Sequence, residues 1–314
     1  MGGDARFDYE ISYGKARVPL YLVYGRPLTG LTPIPESNFT GRDNVLVGAE
    51  IDVEVFTREV LPAYTVGDNR RVVATDTMKN VILKEALTYD GATLEGFLAH
   101  LGRRFLALYP EMGHIRVRGR ELPFVAPQVP GAGGDFAPSD VLFSRQFGDH
   151  GVAMLEYALE DGDPRLIAHE CGHVEMQLLK VTGSSFTRFA RDEHTTLPER
   201  GDRPLFIHLD TRWRYADPAT MLHPDHKGYV ASEQVRDFAA TVFHRFVSES
   251  IQHLVHEIGT RLLDRFPQLA EVSFAAQNQT PDPMAVSEGD ERQKVYSSPF
   301  PAYGLIRLRL SRKG

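Results

Sequence analysis

The sequence predicts an α+β protein built of two halves, on three observations. Runs that alternate apolar and polar residues, as half-buried strands do, are interleaved with pairs of segments whose apolar residues recur at helical spacing. The order strand-strand-helix-helix-strand occurs twice, without obvious identity between the copies. Residues 126–140 are rich in Pro, Gly and Ala and form the best boundary, which predicts domains over 1–140 and 141–314. Successive strands broken by helix pairs imply antiparallel sheets with the helices on one face.

The first strand is predicted from Tyr9 to Tyr24, interrupted at Tyr13-Gly14-Lys15. Residues 25–44 hold Gly, Pro, Ser and Asn and read as a loop. In 45–57, Val45, Val47, Ala49, Ile51, Val53 and Val55 share one face of a strand. After Val72-Val73-Ala74-Thr75 come helices over about 76–88 and 93–109, the second with Phe97, Leu98, Leu101 and Phe105 on one stripe. In the second half, 152–158, 166–182 and 205–215 read as strands, 232–247 and 249–266 as helices, and 270–276 and 303–311 as the last strands.

Net charge is −7 and no lysine/arginine block stands out, which argues against nucleic acid or an anionic membrane as the main partner. A single cysteine, Cys171, allows no intrachain disulfide and fits a reducing compartment. No signal peptide or membrane-spanning apolar run is visible, and the final Ser-Arg-Lys-Gly is not the peroxisomal Ser-Lys-Leu address. A cytoplasmic protein is expected.

Residues 182–204 are unusual for a loop. They are rich in hydroxyls and charge, yet carry Phe186, Phe189 and Leu197, and they lead into the alternating strand 205–215. An ordered, partly apolar segment outside regular structure is more often functional. A flat aromatic, an aliphatic and an arginine brought together make a slot for a planar anionic ring: Phe stacks, Leu covers, and Arg bonds two atoms in a fork.

The string T-G-S-S-F-x-x-F-x-R-D-E-H-T-T-L-x-E-x-x-D-R followed by W-R-Y resembles the middle of the urate oxidase (uricase) family. The resemblance implies that Phe186 stacks on the purine, Leu197 lines the pocket and Arg203 holds the ring anion. A second string, V-A-T-D-T-x-K-N, is similar to the family motif whose Thr and Asp reach into a neighbouring subunit's pocket, here Thr75 and Asp76. Read from the residues alone, Thr or Asp at that place is a helix N-cap. Tyr13-Gly14-Lys15 resembles the family's first strand, which gives Lys15 a proton relay with Thr75. Ile251 and Gln252 match the family's Val-Gln, whose amide bonds the pyrimidine edge of the ring. Asn278 matches the Asn that faces dioxygen. The resemblance further implies tandem tunnelling-fold (T-fold) domains, a homotetramer with active sites at subunit interfaces, and oxidation of urate by dioxygen without a cofactor.

Two departures accompany these matches. The family's Leu-Pro-Asn-Lys-His carries the relay histidine, and here Gln279 and Thr280 replace its last two residues. The Trp-x-Arg and His-x-His-x-Phe strings are absent between 113 and 150. The first departure leaves open an enzyme that acts on a different oxidised purine or related heterocycle. A third reading comes from His169-Glu170-Cys171-Gly172-His173, an H-E-x-x-H run that would bind zinc as a metallopeptidase if it lay on a helix and found a third ligand.

Overall fold

The computed structural model describes residues 6–131, 133–279, 281–297 and 301–313. The chain forms two compact units. The first comprises 1–32, 40–171 and 218–229, and the second 33–39, 172–217 and 230–314. The boundary expected at 140 falls within the first of these units. The Pro- and Gly-rich stretch is an arm inside the first unit, where Gln128–Pro130 pairs with Phe136–Pro138. The units divide at Cys171/Gly172, inside one strand.

In the first unit β1 (Tyr13–Val23), β2 (Leu46–Val55), β3 (His114–Glu121) and β4 (His150–Glu160) lie side by side, each pair antiparallel. Helices α1 (Thr75–Thr88) and α2 (Leu94–Leu108) connect β2 to β3 and cover one face. The inward residues of the strands, Ile51, Val53, Val55, Ile115, Val117 and Leu155, are buried, as are Leu98, Leu101 and Phe105 of α2, which packs on β3 and β4. The sequence reading gave no strand to 114–121. There Arg116, Arg118 and Arg120 alternate with Ile115, Val117 and Gly119, so the third inward position has no side chain to signal burial.

The second unit repeats the plan. The part of β5 (Asp163–Lys180) from Gly172 onward neighbours β6 (Leu205–Tyr215), followed by β7 (Leu269–Gln279) and β8 (Gly304–Ser311). Between β6 and β7 come α3 (Ser232–Arg245) and α4 (Ile251–Arg265), and α4 packs on β7 and β8. The apolar stripe of α4, Ile251, Leu254, Val255, Ile258, Leu262 and Leu263, is buried, as is the Leu205-Ile207-Leu209-Thr211-Trp213 face of β6. The α+β architecture, with antiparallel sheets and helix pairs on one face, is as predicted.

The helices of the two units match position for position. α1 and α3 have 14 residues each, α2 and α4 have 15, and each pair stands 157 positions apart (94 to 251). Thr93 caps α2 by accepting from the Gly96 amide at 3.1 Å, and Ser250 caps α4 by accepting from the His253 amide at 3.0 Å. The ninth residue of both second helices is glycine. A Cβ on Gly102 would collide with the Tyr157 ring, and one on Gly259 would stand 2.5 Å from Leu310 Cδ1 and 2.9 Å from Phe274 Cε2. At both places a side chain would require its neighbour on the sheet to shift.

Glu95, in the first turn of α2, is 4% exposed. Its Oε2 accepts from the Tyr229 hydroxyl at 2.8 Å, and the Cys171 thiol also bonds it. Burial pushes its carboxyl up to about 7, with Glu121 adding repulsion and the hydrogen bonds acting the other way. The folded state thus binds this proton more tightly than the unfolded chain, whose glutamates titrate at about 4.3. The stabilising contribution is complete below that value and is lost as pH rises toward 7, by on the order of 3 kcal/mol. Glu95→Gln, which stays neutral, is expected to melt above the wild type at pH 8 and close to it at pH 4.5. A wild-type advantage at pH 8 in thermal melts would contradict this.

Candidate active site

The excursion between β5 and β6 is closed at three levels. At its ends the Asp202 carboxylate accepts from Thr182 Oγ1 at 2.6 Å and from the Gly183 amide at 2.7 Å. These bonds, rather than a cation, hold its pKa below the ordinary carboxylate value: the Thr182 bond contributes most, and backbone amides add to it. One step inward, the Arg203 amide donates to the Ser184 carbonyl at 2.8 Å. Phe186 and Arg200 then exchange backbone hydrogen bonds of 2.9 and 3.1 Å. A loop of this length stays ordered because its backbone groups find partners inside the protein.

A second set of contacts ties the excursion to α4. Ser184 forms an isolated parallel bridge with Ser248, whose hydroxyl donates to Ser184 Oγ at 3.2 Å. The Ser185 amide donates to the Ser248 carbonyl at 2.8 Å. Ser248 lies two residues before the Ser250 cap, so this junction brings Phe186 and Arg203 alongside the start of α4, where Ile251 is buried and Gln252 is exposed in the first turn. The serines in T-G-S-S and V-S-E-S make this junction.

Arg203 is 5% exposed and its guanidinium lies over the Phe186 ring, 5.5 Å from the centroid. Burial, and then the neighbouring Arg200 cation, draw its pKa below the ordinary value. That is the electrostatic condition of a site that favours an anion. Phe189 stacks on Phe186 at 4.8 Å and 9°, and Arg191 stands 5.3 Å over Phe189. A ring so placed covers one face of Phe186. Leu197 stands on the inner loop, 41% exposed. Asn278 pairs with Ile207 of β6 and Gly304 of β8, and it continues the face of β7 on which Phe274 and Ala276 are buried beneath α4. Thr280 lies outside the described residues.

Lys15, Thr75 and Asp76 form a separate set in the first unit. Lys15 precedes a β-bulge: it pairs with Val53, the next pairing is Val18 with Ile51, and Arg17 between them has φ 56°. The Tyr13 hydroxyl accepts from the Val73 amide at 3.2 Å, which fastens the start of β1 beside the entry to α1. The Asp76 carboxyl is held below its usual range, first by its hydrogen bond from Lys79 and to a lesser degree by the charge of Lys15, which places Lys15 nearby. Thr75 is the first residue of α1, and the N-cap is Ala74, which has no side-chain acceptor. The capping role read for Thr75 is therefore not the one it has.

The zinc reading fails on geometry. His169 and His173 lie on the extended strand β5, where four residues span roughly 13 Å. Two ligands of one ion would need the single turn of a helix. Among the described residues no group of three His, Cys, Asp or Glu side chains is placed to hold a metal.

The Uricase family model matches residues 169–307. The uricase of Haloferax volcanii is 47% identical over 271 residues, 86% of this chain and 88% of that protein. The uric acid degradation bifunctional protein PucL of Bacillus subtilis is 42% identical over 312 residues, and the chain, matched over 99% of its own length, spans 63% of that longer relative. The crystal structure of urate oxidase from Bacillus sp. TB-90 in the absence of chloride superposes with a TM-score of 0.93 at 41% identity, covering 96% of this chain and all of that one.

Arg203→Ala is expected to weaken a planar purine anion by roughly 2–5 kcal/mol, the cost of cutting a buried charge pair. Arg212, on the face of β6 opposite its buried residues, serves as the comparison. Calorimetry that finds equal losses for Arg203→Ala and Arg212→Ala would remove Arg203 from the site.

Proposed function

The chain belongs to the uricase family, and we propose on that footing that it oxidises the urate anion with dioxygen and water to 5-hydroxyisourate and hydrogen peroxide. The observation that carries the reading is the buried Arg203 guanidinium set over Phe186 and joined through Ser184 and Ser248 to the start of α4. Phe186 stacks on the ring, Arg203 and Gln252 fix its edges, and Leu197 and Ile251 wall it. Thr75 and Asn278 frame dioxygen, Asp76 adds its helix-start position to the pocket, and Lys15 with Thr75 moves protons. A urate anion is electron-rich enough to pass an electron to dioxygen directly, so the chemistry calls for neither metal nor flavin. The residues' task is to hold the ring as its anion, keep dioxygen over it and carry protons.

The pocket set falls into Lys15, Thr75 and Asp76 in the first unit and Phe186, Leu197, Arg203, Ile251, Gln252 and Asn278 in the second. The internal repeat supports assembly of the site from two chains. Gln252 is the counterpart of Glu95, and Val72, just before α1, is the counterpart of Tyr229, just before α3. Tyr229 bonds Glu95 within this chain. By the same relation the segment Val72–Asp76 of a partner would meet Gln252, as expected of a homotetramer with sites at its interfaces.

Dioxygen uptake with urate, followed by loss of its ultraviolet band, tests the activity. Urate bound at Arg203 without any uptake would favour the altered-substrate reading instead. Mixing inactive Lys15→Ala and Arg203→Ala chains should restore part of the activity in hybrid oligomers, and absence of rescue despite subunit exchange would refute the shared site. Thr280 can hold a water but cannot become an imidazolium. A positioned acid or base contributes about 10²–10⁴-fold, so Thr280→His is expected to raise turnover of urate or to give its pH profile a step in the histidine range.

A further inference from the structure

The repeat extends beyond the helices into the loops. In the second unit the substrate frame rests on the antiparallel bridge Phe186–Arg200, on the Ser250 cap, on Gln252 in the first turn of α4 and on Asn278 near the end of β7. The first unit has each part. The loop between β1 and β2 is closed by the antiparallel bridge Leu28–Arg42, the only other antiparallel bridge of its kind among the described residues. Thr93 caps α2, Glu95 occupies its first turn at the place of Gln252, and Glu121 ends β3 at the place of Asn278.

The chemistry of the two frames is opposite. Where the second unit has an amide, a buried arginine and an asparagine, the first has two carboxylates. Glu121 is matched by Arg42 at 2.9 Å. Glu95 is matched by the hydroxyl of Tyr229 at 2.8 Å and by the Cys171 thiol. Leu28, at the place of Phe186, is buried. A hollow of about 50 Å³ remains beside Glu121 and Arg42, lined also by Leu22, Val47, Tyr89 and Phe97. It is large enough for water and too small for a ring. The ring that bonds the acid at the anchor position is the chain's own phenol, that of Tyr229.

We propose that the first unit carries a second copy of the substrate frame, held shut by Tyr229, and that a small neutral ring with an O–H or N–H donor binds at Glu95 once that side chain is removed. Once ionised, above about pH 7, the Glu95 carboxylate only accepts hydrogen bonds, so in that range the site selects donors and rejects anionic rings. The Tyr229–Glu95 bond is thus an internal ligand that leaves each chain with one open site. The comparison of frames rests on Gln252 anchoring the substrate. Urate titrated against Gln252→Ala tests that premise, and unchanged affinity there would remove it without touching the measurement at Glu95.

The test uses the full chain and phenol as the probe, by calorimetry and thermal melting. Tyr229→Ala is expected to melt below the wild type and to bind one phenol per chain saturably, recovering part of the loss. The wild type and Tyr229→Phe, both with the place filled, should bind none there. Tyr229→Ala combined with Glu95→Leu should bind phenol at least about 10-fold more weakly, the worth of a hydrogen bond to a charged acceptor. Equal binding by the single and double variants would show a mere cavity and overturn the proposal, as would phenol binding of equal strength to the wild type. If Tyr229→Ala does not fold alone, refolding in phenol should restore soluble protein in that variant and not in the double one. Failure of that rescue also overturns it.

Discussion

A guanidinium withdrawn from water sets the terms for the substrate half of the molecule. Arg203 is almost fully buried, and a second cation, Arg200, stands near enough to oppose its charge. Such a group stays in place only if the backbone around it is fixed and if its surroundings offset some of its desolvation. The Phe186 face supplies π density on one side. Asp202, its chain neighbour, commits its carboxylate to Thr182 and Gly183 and thereby holds the two ends of the excursion together. The Ser184–Ser248 junction joins that excursion to α4. The irregular segment is therefore as determined as a strand, through side-chain and isolated backbone bonds in place of a ladder.

Most of the fold was legible because most of it obeys simple periods. β6 was read within its observed limits, and the stripe of α4 and the inward face of β2 are buried as their spacing predicts. β3 escaped because arginines fill its outward positions and Gly119 its third inward one. The division at Cys171 leaves no mark in composition, since it falls inside a strand whose hydrogen bonding suits any residue. The Pro and Gly of 126–140 instead reflect the turns of an arm. At the site, Phe186 and Arg203 could be named from one segment. Tyr13, Ser184 and Ser248 could not, since each acts through a backbone group remote in sequence.

Two frames of one design carry contrary charge. In the second unit the anchor position holds an uncharged amide near a buried cation, and the frame suits an anion. In the first the same position holds an acid that burial keeps partly protonated at neutral pH, donated to by a phenol and a thiol. Four side chains, at 28, 95, 121 and 229, account for this inversion. The backbone beneath them is shared, so the difference lies in chemistry laid over an unchanged scaffold.

The matched glycines at 102 and 259 bear on how such a chain could arise. Both mark a close contact of the second helix with side chains of its sheet, and both sit at the same place in a repeat of 157 positions. A steric requirement met identically in both halves is the trace expected of a duplicated gene, preserved because a contact between backbone and side chain cannot drift. An ancestor of one repeat, pairing with itself, would have presented the same anchor at every junction. On the proposed function, one anchor would become an acid and the other remain a binder only after fusion, so a single open site per chain would follow from joining the halves.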